Sequence, residues 1–250
     1  MRILFDTHTH SVASGHAYST LDELAKGARR RGLKGFVLTD HGPGLPGGTH
    51  PYHFGNLRVV PTHIKGVRFF SGVEANIMGT MGELDLGEYW LGRLDFVMAG
   101  LHEICFAPRS SAENTQALIA AIANPFVDAL SHPDNPAYPM DMEAVVTAAA
   151  ASGKALEIND SSFRIRPGSA VSSRNIALLC KKHGVLVTTG SDAHYWKDVG
   201  RFDEVRKLLR EVGMPDELVL NANAARFKAF LEKRRAERAH AAKDYTFSPT

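Results

Sequence analysis

Short, nearly continuous apolar runs alternate with amphipathic helical stretches along this chain, and that alternation leaves few folds open. The runs are Ile3–Asp6, Gly35–Thr39, Phe69–Val73, Phe96–Ala99, Val127–Leu130, Ala155–Ile158 and Val185–Thr188. Runs of this kind are expected of parallel strands buried on both faces. Helical periodicity marks Leu21–Arg31, Ala112–Ala123, Met142–Ser152, Ser173–His183, Phe202–Val212 and Ala224–Ala242. Thr20 and Glu23 make a capping box for the first helix and Gly32 stops it, while Asp141 and Gly184 cap two others. Strands separated by helices pair in parallel, as a closed barrel or a doubly wound sheet. Seven strands rather than eight favour a distorted or incomplete barrel, TIM-like, with its active site at the carboxyl ends of the strands.

At 250 residues without a Pro/Ser-rich linker or composition break, residues 1–250 read as one domain. A net charge of +2 is too small to argue for nucleic acid or an anionic membrane. No apolar run is long enough to span a membrane. The N-terminus, MRILFDTHTH, has no signal-peptide pattern, and Cys105 and Cys180 suggest neither a disulfide framework nor a zinc ribbon. A cytoplasmic location is expected. The Lys/Arg-rich Ala224–Ala242 reads as a solvated helix face, and Asp244–Thr250 as a tail packed loosely on the surface or on a neighbouring subunit.

The chemistry lies where strand gives way to loop. His8 and His10 follow the first run, two residues apart, so that both imidazoles point one way. His16 lies in a glycine-flanked loop six residues on. His41 ends the second strand before Gly42-Pro43. Glu74 directly follows the third strand, where a carboxylate without a nearby Lys or Arg is costly to bury unless it meets a cation. His102 follows the fourth strand, His132 the fifth, and Asp192 with His194 the seventh. Each has a bland reading as a satisfied core histidine or a loop carboxylate. Together they sit at six of the seven strand ends, where parallel α/β folds gather catalytic groups. Nine such side chains exceed one ion's needs and suit two or three metals. Imidazole with carboxylate fits zinc, manganese or iron, and without cysteine the set does not resemble a purely structural zinc site. The chemistry indicated is metal-assisted hydrolysis.

Asp6-Thr7-His8-Thr9-His10, Thr39-Asp40-His41-Gly42, Gly72-Val73-Glu74-Ala75-Asn76, His102-Glu103, Ser131-His132-Pro133 and Gly190-Ser191-Asp192-Ala193-His194 resemble the PHP (polymerase and histidinol phosphatase) superfamily. The likeness is nearest to its YcdX-type phosphatase branch and runs from about Asp6 to Leu231. It implies a distorted (β/α)7 barrel, a trinuclear zinc centre, hydrolysis of a small phosphate monoester, and a homotrimer. It implies that His8 and His10 bind one metal with Asp192 and Glu74. His16, His41 and His194 would hold a second, and His102 and His132 a third with Glu74 bridging. Glu74 and Asp192 are accordingly the expected catalytic carboxylates, serving a metal-activated hydroxide.

Arg109, Asn159, Arg164 and Arg166 are candidates for binding substrate, the last three because the sixth strand end alone carries no metal-type ligand. Asp6 and Asp40 are candidates for supporting the ligands from behind. His50, His53, His63, His183 and His240 have no assigned role, and the loop holding His50 and His53 reads as an ordinary surface loop. Rival readings are an amidohydrolase-like metal hydrolase, a histidinol phosphatase, a PHP-type nuclease, and a metal-binding scaffold. Glu74 and the Asp192-x-His194 pair fit a phosphoesterase better than an amidohydrolase, near-neutral charge weighs against a nuclease, and a scaffold is expected to have lost ligands.

Overall fold

The computed structural model describes residues 1–241, and the tail beginning at Asp244 lies outside the described residues. Seven parallel strands follow one another around a nearly closed barrel: β1 (Phe5–Asp6), β2 (Gly35–Leu38), β4 (Val67–Asn76), β5 (Phe96–Gly100), β6 (Ala129–Leu130), β7 (Ala155–Asn159) and β8 (Val187–Gly190). An eighth, β3 (His63–Ile64), pairs antiparallel with the start of β4 through a Lys65-Gly66 turn in which both residues have positive φ. The distorted (β/α)7 barrel is therefore the observed architecture, and β3 is an addition to it. Lys-Gly is a weaker hairpin signal than Asn-Gly, which hid this strand in the sequence.

Helices α1 (Leu21–Arg30), α4 (Ser111–Ala123), α5 (Met142–Ser152), α7 (Ser169–His183) and α8 (Asp203–Glu211) fill the crossovers. The Thr20/Glu23 capping box forms, and a second one at Ser110 and Glu113 starts α4. Helix α7 begins four residues earlier than its periodicity suggests. Its first turns bury Ser169 and Ser173, which bond the Ser162 carbonyl and Asp134, so polar residues occupy positions normally read from apolar ones. Short helices α2 (Pro51–Asn56), α3 (Glu88–Leu91) and α6 (Ser162–Ile165) lie in the loops.

Strand side chains alternate between two cores. Phe69, Val73, Ala75, Val97, Ala99, Leu156 and Ile158 face outward and pack with helix residues such as Leu24, Leu118, Val145 and Ile176. Phe5, Val37, Phe96, Met98, Ala129 and Ala155 fill the lower barrel. Helix α9 (Ala224–Ala241) plugs its base, with the Phe227 ring stacked on Phe5 at 4.8 Å between centroids. In β4 the inward parity that begins with Phe70 passes through Gly72 to Glu74. The strand runs to Asn76, so Glu74 lies within it rather than after it. Polar residues at the top of a barrel interior do not read as strand, which explains the earlier boundary.

Only β1 and β8 lack a ladder between them. At the top the gap is bridged by Asp192 N–H to His8 O (2.9 Å) and His10 N–H to Ala193 O (3.0 Å). Below, Asn221 stands in for the missing pairing. Its amide nitrogen donates to Phe5 O (2.7 Å) and Thr189 O (2.8 Å), and its oxygen accepts from the Thr189 amide (3.1 Å).

The C-terminal helix corrects the expectation of a solvated basic face. Arg238 is fully buried and Arg234 nearly so. Both guanidiniums bond the Asp128 carboxylate, Arg234 Nε at 2.9 Å, and reach the carbonyls of Leu94, Asp95, Pro125 and Val127. A buried charge left without its partner is far costlier than the intact pair is stabilising. Asp128→Asn is expected to cost about 3–5 kcal/mol, read as a lower denaturant midpoint. Nearby, burial and the Arg234 charge push the Lys154 ammonium down to about 8. Between pH 8 and the unfolded value of 10.5 the unfolded chain holds the proton and the folded chain does not, so stability from this group rises with pH across that window. Unfolding titrations should show wild type gaining on the order of 3 kcal/mol over Lys154→Met in that interval.

Candidate metal centre

The site occupies the carboxyl end of the barrel, built around Glu74. Five imidazoles crowd its carboxylate. His8 Nε2 (3.1 Å), His10 Nε2 (3.5 Å) and His41 Nδ1 (3.1 Å) approach one oxygen, and His102 Nε2 (3.3 Å) and His132 Nε2 (2.7 Å) approach the other. Asp192 Oδ1 lies 3.3 Å from His10 and 3.6 Å from His8. At the rim, His16 and His194 meet through their Nε2 atoms at 2.9 Å. All nine side chains singled out in the sequence thus form one contiguous cluster.

The backbone is bent to make this arrangement. His132 and Asp192 have φ of +27° and +52°, two of three non-glycine residues with positive φ among the described residues. Such conformations cost on the order of 1–3 kcal/mol each and persist only where surroundings enforce them. Gly100 and Gly190 supply the room. A Cβ at Gly100 would strike Ser131 and crowd Glu74 Oε1, and one at Gly190 would strike Glu157 and His8.

The imidazoles of His8, His10 and His102 are aimed from behind. His8 Nδ1 bonds Glu157 Oε1 at 2.9 Å. Glu157 Oε2 accepts from the His132 amide (2.7 Å) and from Asn159 Nδ2 (3.1 Å). His10 Nδ1 meets Ser14 Oγ at 3.1 Å, and Ser14 Oγ donates to Asp40 at 2.7 Å. Asp40 also accepts from the Ser11 amide and hydroxyl, both at 2.7 Å, and from His53 Nε2 at 3.1 Å. His102 Nδ1 bonds Asn76 Oδ1 at 2.7 Å. Asp6 accepts from the Ser191 amide (3.0 Å) and the Gly200 amide (2.7 Å), tying β1 to the β8 loop rather than touching an imidazole.

Glu157 and His53 escape a sequence reading. The first lies inside an apolar strand at its inward parity, a signal visible once the alternation is followed. The second reaches back from α2, far from any strand end.

Electrostatics favour the ligand forms of most of these groups. Burial opposes the Glu74 anion, but the charges of His8, His102, His41 and His132 outweigh it and hold its carboxyl well below the usual range. Asp192 is held down likewise, chiefly by His8 and His10 against burial. Burial and His194 push His10 down to about 4, and burial takes His41 well below its ordinary value and lowers His132. A neutral imidazole is the form that coordinates metal. His8 goes up, since Glu157, Glu74 and Asp192 overcome its burial.

The donor set passes a direct test for a cation. Both Glu74 oxygens, His41 Nδ1 and His102 Nε2 are buried without a hydrogen-bond partner, although they face one another at close range. Orphaned buried polar atoms are costly, and a cation among them would satisfy all four. Ligand atoms of His8, His10 and Glu74 lie within 4.8 Å of one another, as do those of His10, His41 and His194, and those of His41, Glu74 and His102. The three groups overlap, sharing His10, His41 and Glu74.

A cavity of about 520 Å³ opens above the cluster. Arg164 and Arg166 line it. Arg166 Nη2 lies 3.5 Å from Asp192 Oδ2, and Arg164 Nη1 lies 2.5 Å from Asp160 Oδ2. Asn159 lies below the cavity with its amide engaged by Glu157, Asp192 and the Ser162 amide. Arg109 is outside the cavity lining, half-exposed and 3.5 Å from Glu113.

No family model matches the chain. Among curated proteins it is 50% identical to a probable phosphatase of Acetivibrio thermocellus over 238 residues, covering 95% of this chain and 98% of the relative. It is 52% identical over 237 residues to one of Caldanaerobacter subterraneus subsp. tengcongensis, covering 94% and 93%. The chain belongs to this family of probable phosphatases. Among solved structures, the phosphatase resembles histidinol phosphate phosphatase from Lactococcus lactis, solved with zinc, L-histidinol and phosphate, with a TM-score of 0.64 at 19% identity over 84% of this chain and 94% of that one. A chain of archaeal ribonuclease P matches with a TM-score of 0.58 at 14% identity, covering 98% and 96%. At such identities these likenesses show the fold alone. Among the described residues of the phosphatase, no helix is long and apolar enough to cross a membrane.

The clamp on His10 and His41 gives a prediction. Ser14, held by Asp40, touches His10 and accepts from the His41 amide at 3.2 Å. Asp40→Asn turns one of its oxygens into a donor facing donors. It is expected to weaken metal affinity or activity by about 10–100-fold, measured by competition with a chelator.

Proposed function

We propose that this phosphatase hydrolyses a small phosphate monoester at a trinuclear zinc-type centre. The observation that carries the proposal is Glu74, a buried carboxylate met by five imidazoles yet without a hydrogen bond on either oxygen. In this reading His8, His10 and Asp192 hold one ion with Glu74. His16, His41 and His194 would hold a second, and His102 and His132 with Glu74 a third. The YcdX-type branch and a single hydrolase domain spanning residues 1–250 belong to the same reading. So does a cytoplasmic site of action, which the sparse, unpaired cysteines support.

When bound, the ions supply a hydroxide at neutral pH and positive charge for the phosphate oxygens. The chain's own groups do the rest. Glu74 and Asp192, held anionic by their histidines, fix the spacing of the donor set. Glu157 and Ser14 hold His8 and His10 in place from behind, so that little reorganisation accompanies reaction. Arg166, anchored by Ser162 Oγ at 2.9 Å, presents a guanidinium to the cavity and is the preferred phosphate contact, with Arg164 beside it. Asn159 acts by holding Glu157 and Asp192 rather than by touching substrate.

Glu74→Gln and Asp192→Asn are each expected to abolish phosphomonoesterase activity while thermal unfolding still shows a cooperative transition. Near-wild-type turnover in either at saturating metal would sink the mechanism. Elemental analysis should find about three ions per chain in wild type and fewer in Glu74→Gln.

A further inference from the structure

The mouth of the metal cavity is rimmed by apolar side chains in the open. Tyr18 is 72% exposed, Ile165 60% and Tyr195 43%, and all three line the cavity whose floor is His41, Glu74, His102, His132 and Asp192. Large apolar groups left in water are ordinary when scattered singly, but three around one functional mouth mark a binding surface.

The two tyrosines are positioned. The Tyr18 amide donates to the His194 carbonyl at 2.8 Å, so the loop after β1 is tied to the loop after β8 beside Tyr195. Tyr195 is backed by Trp196, with ring centroids 6.1 Å apart. Both rings therefore stand beside the rim imidazoles His16 and His194. A cavity of about 520 Å³ is far larger than a phosphate group needs, and Tyr18 and Tyr195 are part of its lining.

We propose that Tyr18 and Tyr195 form a stacking platform for a planar ring on the alcohol portion of the substrate, making ring-bearing phosphate monoesters the preferred class. The inference rests on the phosphomonoesterase reading above. Ile165 of α6 lines the same cavity, and Arg166, 3.5 Å from Asp192 Oδ2, offers the ester phosphate a guanidinium beside the cluster. Nucleoside monophosphates and aryl phosphates share this chemistry.

The test compares kcat/KM for phenyl phosphate, a nucleoside 5′-monophosphate and glycerol phosphate. Wild type is expected to favour at least one ring-bearing ester. Tyr18→Ala and Tyr195→Ala should each shrink that preference about tenfold, mainly through KM, while Tyr18→Phe and Tyr195→Phe retain it. The first two arms show whether an aryl or a nucleoside ring fits. Equal kcat/KM for all three esters, or an undiminished preference in the alanine variants, overturns the proposal. Calorimetric binding of phenylphosphonate against methylphosphonate keeps the two readings separate. If no ester is hydrolysed but the phenyl compound still binds more tightly and loses that margin in Tyr18→Ala, the hydrolytic reading fails and the platform stands. Equal binding of the two phosphonates removes the platform.

Discussion

A buried carboxylate surrounded by imidazoles is the constraint from which the rest of this structure follows. Glu74 is brought to the centre by β4, the longest strand, and every neighbouring strand end contributes a group that faces it. Such a concentration of polar atoms away from water is unfavourable unless positive charge completes it. The barrel therefore divides its interior by height. The lower half is filled by Phe5, Phe96, Met98 and Phe227, and the upper half is given over to the imidazoles and carboxylates of the candidate site and the groups that hold them.

That division accounts for several local departures from regularity. Two residues of the candidate site adopt positive φ, two glycines stand where any side chain would collide with the cluster, and β1 is only two residues long before its backbone turns to present His8 and His10. Local preferences of chain and residue are overridden where the donor atoms must converge. The supporting carboxylates Glu157 and Asp40 do for the imidazoles what packing does for apolar side chains: each leaves its ligand one orientation.

Most of the barrel was legible because buried parallel strands are apolar throughout and their crossover helices are periodic. The nine candidate ligand positions stood out because His, Asp and Glu rarely follow such strands by accident. What escaped did so for physical reasons. Glu157 sits within a strand, so it looked like an interruption of an apolar run rather than a partner of His8. His53 reaches Asp40 only through the fold of a long loop. The buried Arg234 and Arg238 lie in a helix whose composition is that of a solvated one, and only the position of Asp128 beneath the barrel reveals where they point. Arg109 illustrates the reverse: proximity in sequence to His102 did not bring it into the cavity.

The seam between β1 and β8 has a consequence in time. Asn221 bonds the carbonyl of Phe5 across 216 positions of sequence, and the candidate site straddles the same seam, with His8 and His10 on one side and Asp192 and His194 on the other. Contacts so distant along the chain form late, because their loop-closure entropy must be met before they return any stability. During synthesis the first strand leaves the ribosome long before its partner exists, and His8, His10 and His16 emerge with it. Closing the barrel at this seam is thus also the step that brings the two sides of the candidate cluster together.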